Sequence, residues 1–387
     1  MSVSIPVHAP VLDAVAVSAV MRCLEREEIS GNAPTVRDFE AAFASWLGVD
    51  HAIAVSSGTT ALRLALAAVE VGPGDEVILP TMTFAPCADM IVHAGATPVF
   101  VDCEPARLQL DIDAVTAAMT PRTRVVMAVH AYGQSADLDA LEALCEASGV
   151  ILLEDAAQSL GGACRQRAIG TIGRAACFSF YANKLLATGE GGMVVTNDAD
   201  LAERARSLRS HAMSRGGAPY EHDACGFNFR LPALSAALGL AQVPQLDERL
   251  ARRQVVAERY ARGLSEVAGL RLLTPAPWTT RHAWWGHVVM VDGATYGRDA
   301  ANLADALWEA GIATRRLYHP LHLHAPLRGL ATAANPGPAG ATARAGLPVS
   351  ERLAPHGLVL PSGTGLTDAQ IDRVVATLGA LAHAVAA

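Results

Sequence analysis

With 387 residues, 51% of them hydrophobic and 18% charged, the chain is too long for one small domain and too apolar to stay disordered. A net charge of −8 excludes a nucleic-acid or anionic-membrane surface as its working face. Its seven cysteines are odd in number, scattered and free of any CxxC pair, which reads as reduced core thiols in the cytosol rather than a disulfide scaffold.

The first 25 residues carry an apolar patch, but no basic leader precedes it and Asp13 interrupts it, so it does not read as a signal peptide. No run reaches the roughly 18 uninterrupted apolar residues of a membrane span. From about residue 50, short β-branched runs alternate with helical patterns. HAIAVSS (51–57) is a strand, followed by a helix ended by Gly72. EVILP (76–80) is a strand, followed by a helix running from after Phe84 to Gly95. TPVFVDC (97–103), TRVVMAVHAYG (123–133) and VILLEDAA (150–157) are strands, with helices DIDAVTAAM and DLDALEALCEASG between them. Apolar strands separated by helices of about 10–15 residues predict a parallel sheet covered on both faces.

ACFSFY (176–181) and GMVVTN (192–197) then lie close together as two strands. Past about residue 200 the pattern turns to long Arg/Glu-rich helices, then to the alternating HVVMVDG (287–293), which predicts a smaller α+β unit. AANPGPAGATARAG (333–346) reads as a loop. The fold expected is therefore α/β. Residues 1–245 form a large unit with the mostly parallel sheet, and residues 246–387 form a small C-terminal α+β domain.

Lysine occurs once, at Lys184 in FSFYANKLLATGEGG (178–192); the other 29 of the 30 Lys+Arg residues are arginine. A surface cation is as well served by Arg. A lysine that survives such a bias is placed where the amine must shed its proton or form an imine, which arginine does not do. Asp155 closes an apolar strand, where α/β sheets bind ligands, although a strand-end acid is as often a helix N-cap. A lysine and a strand-end aspartate are what a pyridoxal phosphate site requires: an amine for the aldehyde and a carboxylate for the ring nitrogen. SSGTT (56–60) opens a helix after a strand, so it reads either as a plain cap or as an anion site on free N–H groups. HPLHLH (319–324) lacks acidic or Cys partners and reads as an irregular loop rather than a metal site. No GxGxxG turn supports a nicotinamide enzyme.

In this order, SSGTTALRLAL, PGDEVILPTMTF, GATPVFVD, LEDAAQSLG, FSFYANKLLATGEGGMVVTND and GFNFR resemble the DegT-type sugar aminotransferases, fold-type I pyridoxal-phosphate enzymes. The resemblance covers roughly residues 25–380. GFNFRLPALSAALGLAQ, YHPLHLHAP and VLPSGTGLTDAQID look most like GDP-perosamine synthases, which aminate C4 of a 4-keto-6-deoxy sugar nucleotide.

The resemblance implies that Lys184 bonds the cofactor aldehyde and that Asp155 pairs with the ring nitrogen. Phe84 stacks on the ring, and Gln158, one helical turn past Asp155, lies beside its phenolic oxygen. Gly58, Thr59 and Ser179 hold the phosphate, and Asn228 reaches the phosphate of a partner subunit in a homodimer. Glu190 and His319 line the sugar pocket. The implied amino donor is L-glutamate and the acceptor a nucleotide-linked keto sugar; no metal, nucleic acid or membrane is implied. A 3-keto sugar or keto-cyclitol acceptor is the alternative within the fold. Sugar 3-deoxygenases of this fold replace the lysine with histidine, which Lys184 opposes. A non-catalytic regulator would need a DNA-binding appendage, for which the chain has no basic segment.

Overall fold

The structure is a computed structural model that describes residues 4–214, 216, 218, 220–328 and 346–383. The sequence-predicted loop at 333–346 lies, but for its last residue, outside them. Two helices open the chain, α1 (Ala14–Glu25) and α2 (Pro34–Leu47). Asp13 caps α1 by accepting from the Ala16 N–H, and Gly48 stops α2 in the left-handed conformation. Strands and helices then alternate: β1 (His51–Val55), α3 (Gly58–Ala68), β2 (Glu76–Pro80), α4 (Pro86–His93), β3 (Thr97–Val101), α5 (Ile112–Ala118), β4 (Thr123–Val129), α6 (Leu138–Ser148) and β5 (Ile151–Asp155). The short pair β6 (Ala163–Cys164) and β7 (Arg167–Ala168) precedes β8 (Ala175–Ser179), β9 (Gly192–Thr196) and α7 (Ala199–Arg209).

Seven of these strands form one sheet in the order β1-β9-β8-β5-β4-β2-β3. Every neighbouring pair is parallel except those made by β9, which runs against both β1 and β8. Both faces are covered, which is why the strands read as unbroken apolar runs. Alternate residues of one strand serve opposite cores. Val126 and Ala128 of β4 join Phe39 and Phe43 of α2 on one face, while Val125 and Met127 join Leu62 and Leu66 of α3 on the other.

The helix after β1 is shorter than its sequence pattern. It ends at Ala68, not Gly72, because Glu70 takes a left-handed turn (φ 62°) and the Val71 N–H reaches back to the Leu66 carbonyl. The β4 and β5 runs also stop early, at Val129 and Asp155. His130–Gly133 and the residues after Asp155 leave the ladder for turns that line the site.

The chain continues through α8 (Ala233–Gln242), α9 (Leu246–Leu264), β10 (Leu270–Leu272), β11 (Thr279–Arg281), β12 (His287–Val291), α10 (Gly293–Tyr296), α11 (Ala300–Glu309), β13 (Arg315–Arg316) and β14 (Gly357–Leu360), ending in the helix Asp368–His383. A four-stranded antiparallel sheet, β10-β12-β14-β13, packs on α9, α11 and the last helix around Tyr260, Tyr296, Leu303 and Ile371. The N-terminal segment returns here: Ile5 bridges Ile312, and the Ser362 N–H donates to the Val7 carbonyl at 2.7 Å.

Candidate active site

The carboxyl ends of β1, β2, β4, β5 and β8 open on one side of the large sheet, and β9 begins there because it runs the other way. A cavity of about 380 Å³ lies at this edge, where a parallel sheet binds ligands.

Lys184 enters it from the connection between β8 and β9. That connection is anchored from behind: Arg249 donates to the Leu185 carbonyl (3.0 Å), and the Gln242 amide pairs with both backbone groups of Ala187. The lysine keeps some contact with the cavity, and its Nζ lies 4.8 Å from the ring centroid of Trp285. Burial of the amine pushes its pKa down from 10.5 to about 7; Asp155 opposes this, while Arg253 and Arg315 add to it.

Asp155 is 7% exposed at the end of β5. Its Oδ1 accepts from the Ala157 N–H (3.0 Å) and its Oδ2 accepts from the Cys87 thiol (2.9 Å). Strand alternation turns the preceding Glu154 to the opposite face. There its carboxylate accepts from His130 Nε2 (3.0 Å) and from the N–H groups of Gly170, Ile172 and Gly173. Burial alone would raise that carboxyl, but His130 and the backbone donors outweigh it and hold it below the usual range. Since His130 Nδ1 accepts from the Ala136 N–H, Nε2 carries the proton.

At the other end of the cavity, Ser57 caps α3. Its Oγ accepts from the Thr60 N–H (3.1 Å), and Thr60 Oγ1 accepts from the Ser57 N–H (3.0 Å). This box satisfies the Thr60 donor and leaves the N–H groups of Gly58 and Thr59 at the positive end of the helix, beside Ser179. A Cβ on Gly58 would stand 2.7 Å from Ser179 Cβ, so only glycine keeps this groove open.

Eight of the ten residues singled out in the sequence line the cavity: Gly58, Thr59, Phe84, Asp155, Gln158, Ser179, Lys184 and Glu190. Gln158 sits on a turn, not one helical turn along a helix. Its Oε1 accepts from the Tyr132 N–H at 2.7 Å and its Nε2 donates to the Tyr318 hydroxyl. Asn228 and His319 do not line the cavity. Asn228 is exposed beside Ser210, and His319 is exposed and stacked on His324, while its neighbour Tyr318 faces in. His322 is taken up by Thr81 and Glu351, and no cluster suited to a metal ion occurs among the described residues.

Cys87, Trp285, Arg315 and Tyr318 also line the cavity without having stood out in the sequence. Cys87 lies one turn into a helix whose start was recognised. Trp285, Arg315 and Tyr318 come from beyond residue 246 and carry no local signal for this placement.

The arrangement fits pyridoxal phosphate. A groove that a single Cβ would fill, edged by free helix N–H groups, suits a phosphate, and Lys184 and Asp155 face the same space. The DegT/DnrJ/EryC1/StrS aminotransferase family profile matches residues 10–379. A GDP-perosamine synthase of Caulobacter vibrioides is 40% identical over 377 residues, 97% of each chain. A UDP-N-acetyl-3-dehydro-alpha-D-glucosamine 3-aminotransferase of Acidithiobacillus ferrooxidans is 37% identical over 349 residues, 90% of this chain and 88% of the relative. The crystal structure of DesV from S. venezuelae superposes with a TM-score of 0.86 at 36% identity, covering 97% of this chain and 99% of that one. Through a match that runs nearly end to end and a cavity that suits the coenzyme, the chain belongs to the DegT/DnrJ/EryC1/StrS aminotransferase family and is a pyridoxal-phosphate-dependent transaminase.

Proposed function

We propose that the enzyme moves an amino group from L-glutamate to C4 of a nucleotide-linked 4-keto-6-deoxy sugar. The observation that carries this reading is the convergence of an amine of lowered pKa and a buried carboxylate on one cavity whose far end is a free helix N-terminus. Bound pyridoxal phosphate supplies an electron sink and carries the amino group between the two substrates. Lys184 Nζ, whose lowered pKa leaves a large share of free amine near pH 7, takes the proton from the donor's α-carbon and later returns one to the sugar carbon. Asp155 serves the ring nitrogen, its geometry fixed by Ala157 and Cys87. The Gly58 and Thr59 N–H groups and Ser179 hold the phosphate, Phe84 covers one ring face, and Gln158 sits beside the phenolic oxygen.

Arg315 is the one arginine lining the cavity among the described residues, and it suits the carboxylate of an amino-acid donor. Glu190, on the cavity wall, serves the sugar. The kinship with GDP-perosamine synthase supports C4. The kinship with a 3-aminotransferase supports a second reading, amination at C3.

The deciding experiment loads the cofactor's amino form, adds 4-keto and 3-keto sugar nucleotides one at a time, and follows the return of visible absorbance. Product NMR then assigns the aminated carbon. Return with a 3-keto sugar alone would overturn the C4 assignment.

The working unit in this reading is a homodimer in which Asn228 serves the partner's phosphate site, consistent with its exposure away from its own cavity. Its place is the cytoplasm: the exposed thiol Cys225 suits a reducing compartment, and no helix among the described residues is long and apolar enough to cross a membrane. Recovery in an exported fraction would refute that location.

A further inference from the structure

We propose that Arg253 is a positioning residue for Lys184: a cation with no ion pair among the described residues, kept in the interior behind the turn that carries Trp285, that favours the free amine of the lysine over its ammonium form. The inference rests on the reading of Lys184 as the residue that serves the cofactor.

Arg253 lies on α9, is 3% exposed, and forms no ion pair among the described residues. Its Nη1 donates to the Ala283 carbonyl at 3.2 Å, and its Nε has no partner. Arg249, one turn earlier on α9, differs: its two terminal nitrogens share four acceptors, including the Leu185 carbonyl beside Lys184. A buried charge without a counter-ion costs stability, and interiors rarely keep one without a role. Burial lowers the Arg253 pKa to about 9, which still leaves it charged at neutral pH.

What Arg253 holds leads directly to the lysine. Ala283 begins the turn that carries Trp285, whose ring faces Lys184 Nζ. This turn is fixed from several sides. The Ala283 N–H donates to the Gly133 carbonyl (3.0 Å), the Gly286 N–H to the Tyr132 carbonyl (3.1 Å), and His8 Nε2 to the Trp285 carbonyl (2.6 Å). The His8 ring stacks on Trp285 at 4.9 Å. Gly133 makes the close approach possible, since a Cβ there would stand 2.7 Å from the backbone nitrogens of Trp284 and Trp285. Trp284 is held at φ 48°, a left-handed conformation that the surrounding bonds impose. The clamp thus sets Trp285 against the amine and places the guanidinium behind the same turn.

The charged and titratable groups near enough to act on Lys184 are Asp155 from β5, Cys87 from α4, Arg253 from α9, Arg315 from β13 and His8 from the N-terminal segment. Burial keeps His8 neutral, with a pKa lowered to about 3. Asp155 favours the ammonium form, while the two arginines favour the free amine. Arg315 is exposed and screened by solvent; Arg253 is not. A lysine beside a second buried cation is a recognised route to an unprotonated nucleophile or base.

Because Lys184 is the only lysine, carbon-13 labelling of lysine at Cε yields one resonance in the holoenzyme. In the amino form of the cofactor, that resonance titrates well below the 10.5 of an ordinary lysine, because the amine is buried. In Arg253→Met the midpoint rises by about one pH unit, while the melting temperature stays level or rises, since an unpaired charge has been replaced by an apolar chain. Arg253→Gln, which keeps a donor for Ala283, gives the same upward shift and carries the test if the Met variant does not fold. Arg253→Lys keeps the charge and leaves the acidic limb of the pH–rate profile at its wild-type position. Kinetics reads that variant, because its new ammonium adds a second resonance. An unmoved midpoint in both uncharged variants overturns the proposal. A resonance that does not differ between the aldehyde and amino forms of the wild-type holoenzyme overturns instead the assignment of Lys184.

Discussion

Lys184 and Asp155 meet in the cavity for different reasons. The carboxylate is placed by strand geometry, at the last residue of β5, and held by a backbone N–H and a thiol. The amine is placed by packing, on a connection tied to α8 and α9. Its pKa of about 7 has a kinetic consequence. A base whose pKa is lowered works above that value and fails below it, so the keto-acceptor half-reaction, which starts from the cofactor's amino form with the lysine free, slows about tenfold per pH unit below the midpoint. Stopped-flow rates across pH 5–9 check this, and a flat profile refutes it. Lys184→Arg keeps a cation but removes the dissociable proton, and turnover falls by about 10³-fold or more while circular dichroism stays native. An active Lys184→Arg variant would sink the assignment.

Helix α3 shows how an element makes a site. Ser57 and Thr60 cap each other, which fixes where the helix begins and leaves the next two N–H groups for a ligand. Gly58 lets the end of β8 come close. Gly58→Ala pushes a methyl group into Ser179, and the strain of such overpacking is about 1–3 kcal/mol. The expected result is a cofactor dissociation constant raised about tenfold or more, read by equilibrium dialysis, with the fold intact; unchanged affinity would show that the phosphate lies elsewhere.

Much at this scale was legible in the chain. The run ILLEDAAQ announced a buried strand with an acid at its mouth, and SSGTT announced a helix start. Helix ends were less legible: α3 stops at Ala68, ahead of a left-handed Glu70 that no residue preference marks, rather than running to the glycine at 72. Gln158 was expected on a helix, but the Tyr132 and Tyr318 bonds hold it on a turn.

At the scale of the whole molecule, the N-terminal region presents an apolar surface: Val11, Leu12, Val15, Val17, Met21, Leu24 and Ile29 are each at least 40% exposed. Val17, Met21 and Leu24 share one side of α1, and exposed apolar residues grouped in this way mark an interaction face. Together with Asn228 lying outside its own cavity, they lead to the expectation that the 40.3 kDa chain sediments at twice its mass. Sedimentation velocity tests it, and a fully active monomer would rule out a shared site.

By itself the sequence determined the alternation of strands and helices, the strand-end acid, the helix N-terminus and the singular lysine. Each of these is written in neighbouring residues, through side-chain periodicity, capping chemistry and the contrast between Lys and Arg. Only the tertiary structure decided that Trp285, Arg315 and Tyr318 close the cavity, that Cys87 rather than a polar side chain steadies Asp155, and that His319 turns away from the cavity while Tyr318 turns in. It alone places Arg253, which has no ion pair among the described residues, behind the turn that carries Trp285. Those relations join residues separated by tens to hundreds of positions. They arise from the packing of the second sheet and α9 against the first, which no local pattern encodes.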